Sequence, residues 1–137
     1  MSFALREHTA DVAVEATADT LDGVFGAVAD GLTACMLDGP YPPPDERFRV
    51  AVTAESLEAL LFDFLDRLII ERDIRNVLPV EHAVSIDRRE DDPTMTAEIG
   101  AISLEHVSAR EVKAVTYSEM TLERRNGDWY AYVVFDV

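Results

Sequence analysis

The chain has 137 residues, the size of one ordinary domain, and its 27 acidic residues against 12 basic ones leave a formal net charge of −15. That balance argues against non-specific nucleic-acid binding, which depends on Lys and Arg to neutralise phosphates. No run approaches the ~20 apolar residues that span a bilayer, and the first residues lack the basic, apolar and cleavage regions of a signal peptide, so a cytoplasmic protein without membrane contact is expected.

Residues 1–137 read as a single domain with no repeat, low-complexity tract or dividing linker. Phe3 to Glu7 and Val12 to Ala16 alternate as two short strands around His8-Thr9-Ala10-Asp11. Asp19 or Thr20 then caps a helix whose apolar stripe is Leu21, Val24, Phe25, Val28, Leu32 and Cys35. Cys35 is the only cysteine, which excludes an internal disulfide and predicts a buried, inert thiol. Gly39 is expected to end the helix, before a loop stiffened by Pro40, Pro42, Pro43 and Pro44.

Phe48, Val50 and Val52 alternate as a third strand, and Ser56 opens a second helix with Leu57, Leu60, Leu61, Phe64, Leu65 and Leu68 on one side. Asp63 and Asp66 fall on its outer side, where Arg67 can pair with Asp63 at the i,i+4 spacing. Beyond Val77 the period becomes two, with strands predicted near Val80 to Arg88, Thr94 to Ile102, Val112 to Arg125 and Trp129 to Asp136. Glu90-Asp91-Asp92-Pro93 reads as an acidic turn and Asn126-Gly127 as a two-residue hairpin turn, both of whose positions tolerate positive φ. The order ββαβα followed by a run of strands fits an α+β fold, a two-layer sandwich of mainly antiparallel sheet with two amphipathic helices.

Three places can carry chemistry. His8 and Asp11 set an imidazole and a carboxylate three residues apart near the surface end of a strand pair. On its own this spacing favours a turn in which Asp11 accepts backbone hydrogen bonds and His8 packs at an edge. Asp136 is followed only by Val137, whose terminal carboxylate adds a second hard oxygen group. Two such groups repel unless a cation or a base lies between them, so an oxygen-ligated calcium, magnesium or manganese ion is expected if Asp11 folds alongside. A chain end standing in water requires no such ion. Lys113, the sole lysine beside eleven arginines, sits on a predicted strand in Glu111-Val112-Lys113-Ala114-Val115-Thr116-Tyr117. A compact ammonium group there suits a phosphate or a carboxylate cluster, or simply faces solvent. Nucleophilic catalysis finds no support, because Gly-x-Ser-x-Gly, a phosphate-binding glycine loop and His-Glu-x-x-His are all missing.

Taken together, Glu7-His8-Thr9-Ala10-Asp11-Val12, Thr20-Leu21, the Glu55 to Leu61 helix start, Glu111 to Tyr117 and the closing Trp129 to Val137 resemble the archease family almost end to end. That resemblance implies a protein activator rather than an enzyme. Its partner would be an RtcB-type RNA ligase, which attaches GMP to one of its own histidines with divalent metal before joining tRNA halves. Archeases promote that guanylation, sustain multiple turnover and can broaden nucleotide specificity. The resemblance makes Asp11, Asp136 and Val137 the metal-binding set, with calcium first and magnesium or manganese as alternatives. It makes Lys113 a functional residue and His8 a supporting neighbour, and it puts tRNA in contact only through the ligase. Ser118 stands where a histidine is common in the family, and Ala101 where an acidic residue is common, so no ligand is expected from either strand.

Composition and spacing by themselves also admit a small metal-dependent phosphoester hydrolase, for which His8 would have to be the general base, or a chaperone-like acidic scaffold. The acidity and near absence of lysine further suggest a salt-rich cytoplasm, where carboxylates hold hydration and self-repulsion is screened. Thermal melts in a potassium chloride series are then expected to show midpoints rising steeply with salt; a flat series removes that idea.

Overall fold

The computed structural model describes residues 2–8 and 11–137, with residues 6–8 described by backbone alone. In chain order the elements are β1 (Ser2–His8), β2 (Asp11–Ala18), α1 (Leu21–Met36), β3 (Glu46–Thr53), α2 (Leu57–Arg75), β4 (Val77–Asp87), β5 (Thr94–Ser103), β6 (Ala114–Arg125) and β7 (Asp128–Asp136). The architecture is α+β, and the run of strands divides between two antiparallel sheets, one ordered β1-β2-β7-β6 and the other β3-β5-β4.

Capping chemistry marks where both helices begin. Thr20 Oγ1 accepts a hydrogen bond from the Gly23 N–H at 3.0 Å, and Ser56 Oγ accepts one from Ala59 N–H at 3.1 Å. Each satisfies one of the amide donors that a helix start leaves unpaired, worth about 1 kcal/mol. α2 ends at Asn76, whose φ of 56° is the left-handed conformation that terminates many helices. The first helix stops sooner than Gly39 suggests, at Met36. Its last carbonyls are taken by Arg110, whose Nε donates to Cys35 O at 2.6 Å and whose N–H donates to Met36 O at 2.8 Å. A guanidinium at this end also opposes the negative pole of the helix dipole.

Nearly every side of α1 is buried, because it packs on β1, β2 and β7 of one sheet and on β4 of the other. α2 lies against β6, β3 and β4, and the buried side chains of both helices and both sheets form one continuous cluster. Cys35 lies in this cluster, and burial pushes its thiol up to about 11, so it stays protonated and inert. At the α1–β4 junction the Thr33 hydroxyl donates to Pro79 O at 2.7 Å and lies 3.0 Å from His82 Nε2. Burial lowers the His82 pKa to about 3, so the ring is a neutral structural group. Arg67 does not turn to Asp63; its Nε donates to Glu71 at 3.0 Å, and Arg75 binds the other oxygen of the same carboxylate at 2.5 Å. Glu71 prevails because one buried carboxylate can accept from both guanidiniums, whereas Asp63 is exposed. No helix among the described residues is long and apolar enough to cross a membrane.

Close approach of α1 to β2 depends on Gly31, where an added Cβ would run into the isopropyl group of Val14. Overpacking of this kind typically costs about 1–3 kcal/mol, more than the gain of roughly 1 kcal/mol in helix propensity. Gly31→Ala is therefore expected to lower the urea midpoint. Pairing it with Val14→Ala should cost less than the two single losses added together, because the two residues share one space.

Candidate functional site

Strand β7 lies between β2 and β6, and its register decides which residues meet. Asp136 stands opposite Asp11 on one side and opposite Ala114 on the other, while Asp11 in turn faces His8 across the β1–β2 pair. Directly opposed residues of antiparallel strands point to the same face, with Cβ atoms about 4.5–5.5 Å apart. Asp11, Asp136 and Ala114 therefore form one transverse row at one end of the four-stranded sheet. Lys113 joins it through the backbone, its N–H donating to Asp136 O at 2.8 Å.

Two details differ from the pattern read in the sequence. Lys113 precedes its strand, because β6 begins at Ala114, and its side chain is exposed. The connection before it is anchored by Arg110 on the end of α1 and by buried Val112, which leaves these residues little freedom to continue the ladder. Thr9, Ala10 and the His8 side chain lie outside the described residues. Val137 follows the row directly, half-buried and packed against the core rather than extended into water.

The surroundings sharpen the electrostatics of the row. Two residues further along, on the same face, Ala13 opposes Val134, and both are fully buried. The two carboxylates thus adjoin an apolar row, where charges act on one another more strongly than in open water. Further along this face, Tyr130 donates to Glu15 at 2.9 Å with the Arg125 guanidinium 3.6 Å from its ring centroid. Burial and the Glu15 carboxylate raise the Tyr130 phenol above its ordinary pKa. That end is a closed polar network.

Two opposed side-chain carboxylates are hard oxygen donors, of the kind that suits calcium, magnesium or manganese and not a thiolate-loving metal. Among the described residues no group of three or more His, Cys, Asp or Glu side chains converges on a metal position. The row by itself supplies two carboxylates, fewer oxygens than a calcium ion takes.

The profile of the archease protein family matches residues 3–137. The chain belongs to the archease family. An archease of Thermococcus gammatolerans is 36% identical to it, with 96% of this chain and 95% of that protein covered, and one of Methanothermobacter thermautotrophicus is 32% identical with 98% of each covered. Among solved structures, the solution structure of a Methanobacterium thermoautotrophicum protein superposes with a TM-score of 0.86 at 31% identity, over 98% of both chains. A Thermotoga maritima crystal structure, described as an archease and possible chaperone, shares the fold with a TM-score of 0.60 at 23% identity, over 96% of this chain and 94% of that one.

Periodicity alone did not reveal one contact between α2 and the edge strand β6. Phe62 on α2 stacks on Tyr117 of β6, with ring centroids 3.9 Å apart and an interplanar angle of 4°. Long-range aromatic pairs leave no spacing signal. Because the Lys113 side chain is exposed and its structural bond is made by the backbone amide, Lys113→Ala is expected to unfold within about 0.5 kcal/mol of the parent in urea titration.

Proposed function

We propose that this chain activates an RtcB-type tRNA-splicing RNA ligase by promoting its guanylation and multiple turnover, and that it broadens the nucleotides the ligase accepts. Its role is that of a protein activator. The reading is supported by family membership, and the observation that carries it is the transverse register that brings Asp11, Asp136 and Lys113 to one end of one sheet.

In the proposed site Asp11 and Asp136 supply side-chain oxygens and Val137 supplies the carboxylate that follows. A divalent cation, calcium first and magnesium or manganese otherwise, would neutralise anionic oxygens brought close to it. The open ligand set leaves positions for water or for groups of the partner. Lys113, exposed beside the row, is assigned to a phosphate or an acidic group on the ligase, and His8 to supporting Asp11. The net charge of −15 suits a ligase that must present a basic face to RNA, since complementary fields speed encounter and fix orientation. Contact with tRNA halves is then made through the ligase, in the cytoplasm.

A purified ligase guanylation assay tests this directly. Wild-type protein is expected to raise both the rate and the number of turnovers. Asp11→Ala and Asp136→Ala should abolish stimulation with the fold retained by circular dichroism, and a tag extending the chain beyond Val137 should weaken it. Full stimulation by both alanine variants would refute the site, and phosphoester hydrolysis by the protein alone would favour a hydrolase instead.

A further inference from the structure

The outer side of α2 carries large apolar groups that the core does not use. Ile74 is 74% exposed and Ile70 42%. With Phe62 and Asp66 they occupy successive i,i+4 positions, so the four form one ridge with steps of about 6 Å along the helix. At the start of the ridge Tyr117, itself 56% exposed, lies flat on Phe62. An isoleucine at an exposed helical position serves neither helix propensity nor hydration. Two exposed isoleucines in line with an aromatic stack, whose Phe62 also packs partly on the core, are a surface rather than scattered exposure.

Carboxylates predominate at the head of this ridge, around Tyr117 and Phe62. Asp66 lies within it and Asp63 beside it, and the Tyr117 hydroxyl is raised above its ordinary pKa by desolvation and by the negative charges of Asp63 and Glu55. The neighbouring guanidiniums are tied to a carboxylate of the same helix. Arg67 and Arg75 both bind Glu71, and Arg75 lies over the Phe48 ring at 4.4 Å. At that acidic head a phosphate backbone or an anionic membrane would be repelled.

We infer that the ridge of Phe62, Asp66, Ile70 and Ile74, headed by Tyr117, is a docking surface for a protein partner that presents arginine or lysine beside an apolar side chain. Apolar anchors bordered by carboxylates fit that chemistry, with the cation meeting Asp63 and Asp66 and the apolar group covering the isoleucines. Tyr117 lies three residues along β6 from Ala114, which stands opposite Asp136. Being an odd number of residues from Ala114, Tyr117 points to the opposite face of the sheet, so a partner on the ridge reaches the carboxylate row around the edge strand β6. Assigning the partner as the ligase rests on the function proposed above, so the ridge would hold the ligase while the row acts on it.

Titrating wild-type and variant protein against ligase guanylation separates holding from acting. Ile70→Ser with Ile74→Ser, and separately Tyr117→Ala, are expected to raise the concentration giving half-maximal stimulation about tenfold or more, with the plateau unchanged. Asp63→Asn with Asp66→Asn should weaken the dependence of that concentration on salt. Circular dichroism melts check that each variant is folded. Wild-type stimulation with no shift in any folded ridge variant overturns the docking surface and leaves the proposed function standing. A lower plateau at unchanged half-maximal concentration overturns it as well. Absence of stimulation by wild-type protein refutes the proposed function and takes this inference with it. A wild-type dimer in sedimentation that the isoleucine variant dissociates would assign the ridge to a second copy of this chain, against the proposal.

Discussion

Insertion of β7 between β2 and β6 is the pairing on which the rest of the arrangement hangs. It supplies the inner face of the first sheet with Trp129, Ala131, Val133 and Phe135, all buried, against which α1 packs. The same register sets Asp136 beside Asp11. A slip of one residue would turn the buried side chains outward and the carboxylates inward. Core packing and site geometry therefore obey one constraint, and the apolar side enforces it: four buried side chains outweigh the modest repulsion of one opposed carboxylate pair.

Different parts of the surface carry different chemistry. At one end of the β1-β2-β7-β6 sheet stands the carboxylate row, with Lys113 adjoining through its amide. Further along the same face the polar groups satisfy one another, as in the Tyr130–Glu15 bond under Arg125. Across the edge strand, α2 turns two isoleucines and an aromatic stack outward. The acidic excess is thus background, and position relative to the strands distinguishes Asp11 and Asp136 from the other carboxylates.

Local rules reached much of this. Thr20 and Ser56 were readable as caps because their hydroxyls lie three residues before the amides they accept from. Asn126-Gly127 was readable as a turn because both residues adopt positive φ, at 54° and 87°. Non-local pairing was less accessible. Alternation finds strands but not their neighbours, so it could not show that β4 and β5 join β3 while β6 and β7 return to β2. Arg67 had partners of equal spacing on either side, Asp63 and Glu71, and only burial and a second arginine decided between them. Lys113 belonged to an alternating run, but the anchoring of Arg110 on α1 kept the start of that run out of the ladder. For the site, spacing offered two unrelated acidic positions, family resemblance linked them, and the strand register explains how residues from opposite ends of the chain become neighbours.

That closure has a consequence for how the molecule is made. During synthesis β1 and β2 leave the ribosome early, but β7, the second partner of β2, is made only after the other eight elements. Until it arrives, the amphipathic hairpin waits with an unpaired edge. Pairing over nearly the full length of the chain is the slow kind of contact to form. Completion of the fold, and with it the meeting of Asp11 and Asp136, is thereby deferred until β7 has emerged, so a product truncated before it lacks the row as well as the complete sheet.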